Sequence, residues 1–177
     1  MSYSHISTPC RLGLFSEFVA VLLACTLLPA SAADLLNDPK GFHGIPWGAS
    51  LESNPDFMLV APGERVKGYD LKNGPAPLGE VRVDSMRFFS LNNKFARVAI
   101  RYRGKHAHNQ ILAYLQSHFG AADQAPGEMM RGLNQQFTWK GTDSQVNLTY
   151  EDMGERGFLF FESRVLAPQF LDNLGGG

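Results

Sequence analysis

The chain has 177 residues, of which 16 are basic and 17 acidic, giving a formal net charge of −1 at neutral pH. That balance supplies no electrostatic reason to expect nucleic acid or an anionic membrane as a main partner. Both cysteines, Cys10 and Cys25, fall within residues 1–33, so the remainder carries no disulfide, no thiolate metal site and no cysteine nucleophile.

Residues 1–33 read as an export signal peptide. Arg11 follows a polar start, "FVAVLLACTLLPA" supplies the apolar stretch, and "ASAA" supplies the small residues a signal peptidase needs. Pro29 and the small-residue site end the apolar run promptly, so it reads as too short for a stable membrane span, although Glu17 makes the signal imperfect. Cleavage is expected after Ala32 or Ala33, which places the protein in the periplasm or outside the cell. An alternative is a lipid anchor on Cys25, although Leu23 stands where lipoprotein signals usually carry a smaller residue. The rest, about 140 residues, is the size of one ordinary domain.

After a polar lead-in, "ASLESNPDF" suggests a short helix starting near Gly48, with Ser50 as cap and Pro55 preventing a long continuation. "FMLVA" and "ERVKGYDL" read as strands, and "KNGPAPLG" at 72–79 as a loop. "EVRVDSMRFFSL" and "KFARVAIRYR" flank Asn92-Asn93, residues that tolerate a left-handed backbone, and so predict a hairpin. A two-residue loop sets Leu91 opposite Lys94 and places Val81, Val83, Phe89, Val98, Ile100 and Tyr102 on the core side. The other side then pairs Asp84 with Arg101 and Phe88 with Arg97, while Arg87 lands among apolar residues and calls for a bulge near Phe88-Phe89.

"KHAHNQILAYLQSHFG" carries a helical stripe of Ile111, Leu112, Leu115 and Phe119, closed by Gly120. "QQFTWK", "QVNLTY" and "GFLFFESRVL" follow as strands; a turn at "GTDS" sets Trp139 opposite Val146, Phe137 opposite Leu148 and Thr138 opposite Asn147. This order predicts an α+β fold, an antiparallel sheet with one long and one short helix packed on one face, arranged as two αβββ-like halves. The expected organisation is a signal peptide at 1–33, one α+β domain at 34–170 and a flexible tail at 171–177.

In "GFHGIPWGASLE", residues 41–52, Phe42, Ile45 and Trp47 alternate as apolar anchors, Pro46 stiffens the chain and Gly48 permits a sharp turn. The motif reads as a structural lock rather than a ligand clamp. Together with the later hairpin, the helix ending "YLQSHFG" and the strand "FTWKG", it resembles a loose group of uncharacterised exported bacterial proteins that share a "GIxWG" opening. The resemblance implies an exported α+β domain and brings no catalytic residues with it.

Few residues invite chemistry. His106 and His108 suggest a metal, but helical residues two apart diverge, so they read as solvent-facing histidines near a helix start. No P-loop, dinucleotide fingerprint or Gly-x-Ser-x-Gly elbow occurs. Glu151, Asp152 and Glu155 sit in "EDMGER", which reads as a solvated turn, and the "NLT" sequon at Asn147 falls within a strand. The remaining signal is "GFLFFE", 157–162, apolar on both faces: Phe158 and Phe160 on one, Leu159 and Phe161 on the other. A two-layer fold covers only one of them, so the second needs cover from "PQFLDNL", from the 72–79 loop or from a partner.

These readings converge on an exported, non-enzymatic protein that binds an envelope protein or peptide through its sheet. Phe88, Arg97, Arg101, Phe158 and Phe160 are the candidate partner-binding residues, with no catalytic, cofactor or metal site assigned. The alternatives are a metal-dependent hydrolase using His106 and His108, and a small-ligand carrier with a cavity between Trp47, Trp139 and the helix.

Overall fold

The computed structural model describes residues 35–124 and 134–172. The signal segment, both cysteines and the end of the tail lie outside the described residues. Among the described residues, no helix is long and apolar enough to cross a membrane.

A small hairpin opens the chain. Strands β1 (Gly41–Phe42) and β2 (Ile45–Pro46) pair through a turn at His43 and Gly44, both left-handed at φ 53° and 78°. Eight further strands build one antiparallel sheet. They are β3 (Phe57–Ala61), β4 (Val66–Leu71), β5 (Ser85–Leu91) and β6 (Lys94–Arg103), then, after helix α1 (Lys105–Phe119), β7 (Asp123–Gln124), β8 (Asn134–Lys140), β9 (Ser144–Glu151) and β10 (Arg156–Ser163). The sheet order is β3-β4-β5-β6-β10-β9-β8-β7, with β7 paired over two residues only. Each half is therefore a four-strand meander, and the last strand of one pairs antiparallel with the last strand of the other.

This corrects the expected fold class. The protein is a predominantly antiparallel β structure with one substantial helix, not an α+β packing of two helices over αβββ halves. The predicted short helix at 49–57 is a run of turns. The Ala49 carbonyl accepts the Phe95 N–H at 2.8 Å and so is committed to β6, while the Asn54 side chain accepts the Asp56 N–H at 3.0 Å in an Asx turn. Pro55 then leaves no room for a second helical turn. The second helix, α2 (Gln169–Asp172), is a single turn near the C-terminus.

One face of the sheet carries the core. Phe88, Val98, Ile100, Tyr102, Leu148, Tyr150, Leu159 and Phe161 point to it, and α1 answers with His108, Ile111 and Leu115. The loop at 72–84 adds Leu78, Val81 and Val83, and the opening segment adds Leu51, Phe42 and Trp47. The structural reading of "GFHGIPWGASLE" matches this placement. The Phe42 ring lies 4.7 Å from that of Phe161, Trp47 lies 4.8 Å from Phe95, and the Trp47 indole N–H donates to Ser144 Oγ at 2.8 Å. Gly48, at φ 84°, bends the chain so that its N–H meets the Phe95 carbonyl at 2.8 Å, an angle that any side chain would strain.

The hairpin turn and the β8–β9 register follow expectation: Asn92 and Asn93 are left-handed at φ 49° and 63°, Leu91 pairs with Lys94, and Trp139 pairs with Val146. The bulge is there too, but its extra residue is Ala96 on β6, between the pairs Ser90↔Phe95 and Phe89↔Arg97. Shifting one residue exchanges the faces beyond it. Phe88 is thus in the core opposite Val98, and Phe89 and Arg87 lie on the other side. Asp84 correspondingly pairs with Arg103 at 3.3 Å rather than with Arg101.

Candidate functional site

The second face of the sheet gathers four of the five predicted partner-binding residues. Because β6 and β10 are neighbours, Arg101 lies directly across from Phe158, Ala99 from Phe160, and Arg97 from Glu162. The same rows continue onto β9 and β8 as Phe158–Thr149–Gln136, Phe160–Asn147–Thr138 and Glu162–Gln145–Lys140. The face is thus a pair of half-buried phenylalanines between an arginine border and a polar field. Phe88 does not belong to it: the residue is wholly buried on the opposite face, edge-on to Phe57 at 4.8 Å.

Cover over this face comes from one corner among the described residues. Ala167 and Phe170 bury Leu91 and Ala96 and pack with Phe89 and Leu166. The Arg97 guanidinium lies 4.5 Å from the Phe170 ring centre and 5.8 Å from that of Phe160, and it meets Glu162 at 2.9 Å. Burial raises the Glu162 carboxyl above its usual range, with Arg97 opposing that shift. A cavity of about 320 Å³ opens beside this pair, lined by Gln145, Arg164 and Pro168 among others. Further along the face, the Arg101 guanidinium lies 5.9 Å from the Phe158 ring, and Arg101 itself is exposed.

The polar field was legible only as the outward half of an alternating pattern. Thr138 and Asn147 read only as the polar half of that alternation, and the sequence gives no sign that β10 would set them and Gln145 beside Phe158 and Phe160. Asn147 Oδ1 accepts from both Thr138 Oγ1 and Gln145 Nε2, each at 3.1 Å, so the three side chains hold one another in place.

The two histidines part company. His106 is exposed, whereas His108 is fully buried, correcting the expectation that both face solvent. Its Nε2–H donates to Gln135 Oε1 at 3.3 Å, an oxygen that can only accept, which leaves Nδ1 to accept the Tyr102 hydroxyl proton at 2.7 Å. Gln135 donates onward to Asp152 at 3.4 Å, and Lys105 donates to Asp152 at 2.9 Å. Burial lowers the His108 pKa and raises those of Tyr102 and Tyr150, while the Lys105 hydrogen bond lowers that of Asp152. Both imidazole nitrogens are engaged, and among the described residues no group of three or more His, Cys, Asp or Glu side chains could hold a metal ion.

Trp139 is buried, with its indole N–H on the Gly120 carbonyl at 2.9 Å, while Trp47 lines a surface cavity of about 570 Å³ with Pro46, Lys94, Asp143 and Leu166. Neither Trp139 nor a residue of α1 is among the residues that line it.

No family model matches this chain, and no curated protein or solved structure does either.

Proposed function

We propose that this is an exported, non-enzymatic protein that holds an envelope protein or peptide against the open face of its sheet. The observation that carries the reading is the placement of Phe158 and Phe160, half-buried beside Arg101 and ringed by polar side chains. Aromatic groups with an arginine border and a polar surround have the composition of a protein interface, in which a few rings and an arginine supply most of the binding energy. Export rests on the signal-like residues 1–33, with cleavage leaving the domain in the periplasm or secreted, or with a lipid on Cys25 holding it at a membrane. The likeness to exported "GIxWG" proteins points the same way.

Cross-linking the protein in envelope extract, with Phe158→Ser/Phe160→Ser as the paired variant, tests it. A specific protein captured by the native form and lost from the folded variant supports the reading. Identical capture by both forms removes the open face as the binding surface.

A further inference from the structure

Among the described residues the sheet ends on β3, which pairs with β4 on one side only. Edge strands are normally blunted by charge, proline or cover. Here Met58, Leu59 and Val60 are exposed at 45%, 50% and 37%, three consecutive apolar residues on an open edge. The hydrogen-bonding pattern shows which backbone groups point outward. Lys72 N–H donates to the Asp56 carbonyl at 2.9 Å, so Asp56 and, two residues on, Met58 form the inward-bonded pairs with β4. By alternation the N–H and C=O of Leu59 face away from the sheet. The bulge at Val60, between the pairs Leu59↔Tyr69 and Ala61↔Gly68, leaves that orientation intact.

We infer that β3 takes an extended segment of another polypeptide by antiparallel strand addition, with an apolar centre and basic ends. The backbone of Leu59 supplies the directional bonds, and Met58, Leu59 and Val60 supply apolar contact. The exposed acids Asp56 and Glu64 at the two ends of the strand select the flanking charge. They also disfavour a second copy of this chain. Self-pairing centred on Leu59 sets Asp56 diagonal to Glu64 of the other copy, acid against acid.

The edge is separated from β10 by β4, β5 and β6. It therefore stands independently of the open-face reading, and the Phe158→Ser/Phe160→Ser variant serves as a control that should bind here normally.

The probe is a synthetic peptide of alternating valine and threonine with a lysine at each end, compared with its glutamate-ended counterpart. Amide exchange of the native protein should slow at Leu59 on adding the lysine-ended peptide, and the glutamate-ended one should bind about tenfold more weakly or less. Leu59→Pro removes an outward N–H and no bond to β4, so a folded variant should lose binding by a similar factor. Equal binding by folded Leu59→Pro, or protection that appears elsewhere while Leu59 exchanges unchanged, overturns the inference. So does peptide-free self-association that slows exchange at Leu59, which would make the occupant a second copy. The exchange measurement on native protein decides the matter even if Leu59→Pro does not fold.

Discussion

His108 Nδ1 and Tyr102 Oη meet at 2.7 Å inside the layer between α1 and the sheet, with both residues nearly inaccessible to solvent. An imidazole there must bring its own partners, and Tyr102 and Gln135 satisfy its two nitrogens. Tyr102→Phe removes only the hydroxyl and leaves Nδ1 buried without a donor. The expected loss is about 1–3 kcal/mol of unfolding free energy, read from the midpoint of urea unfolding. An unchanged midpoint would mean that water reaches the ring.

The same burial makes stability depend on pH. The folded-state pKa of His108 lies below its ordinary value of 6.5, so the unfolded chain binds the extra proton first as pH falls. This contribution is fully present above pH 6.5 and is lost as pH drops through that value toward the lowered folded pKa. Lys105 pushes in the same direction, Asp152 opposes it, and Gln135, Tyr102 and Tyr150 complete the surroundings without charge at these pH values. Thermal melts between pH 7.5 and 5 should show native stability falling on acidification. In His108→Leu that portion of the slope should vanish, whatever the variant's absolute stability.

The position of His108 was available in the helix pattern. It precedes Ile111 by three residues and Leu115 by seven, on the stripe that the apolar residues define. Reading it as a polar residue near a helix start concealed that spacing. The β5–β6 register held only as far as the Ala96 bulge, whereas strand identity, the Asn92-Asn93 turn and the β8–β9 register were legible because side-chain alternation and turn chemistry act locally. The pairing of β6 with β10 was not, since Arg101 and Phe158 are brought together by a long-range contact that no short window encodes. The missing helix at 49–57 has the same cause: the Ala49 carbonyl is taken by Phe95, distant in sequence.

Adjacent residues Phe88 and Phe89 test where the bulge falls. With Ala96 as the extra residue, Phe88 is in the core among Phe42, Phe57 and Phe95, and Phe89 packs at the margin of the α2 corner. Phe88→Ala should cost about 3–5 kcal/mol, the usual range for a buried phenylalanine. Phe89→Ala should cost distinctly less. The reverse order in urea unfolding would return the bulge to the expected register and put Phe88 back on the open face.

Gly157 explains how Tyr102 reaches His108 at all. It sits on β10 between Tyr102 of β6 and Tyr150 of β9, and the Tyr102 ring lies across its Cα, where a methyl group would overlap the ring atoms. The missing side chain is thus the space in which the phenol lies flat before turning its hydroxyl to the imidazole. Gly157→Ala must displace the ring, which both strains the packing and breaks the hydrogen bond, so the loss should exceed the roughly 1–3 kcal/mol of simple overpacking. The strain belongs to the pair rather than to the backbone. In a Tyr102→Ala background, where the ring is gone, Gly157→Ala should therefore cost far less, a non-additivity visible in a double-mutant cycle by urea unfolding. Additive losses would instead locate the penalty in the β10 backbone and detach Gly157 from the buried network.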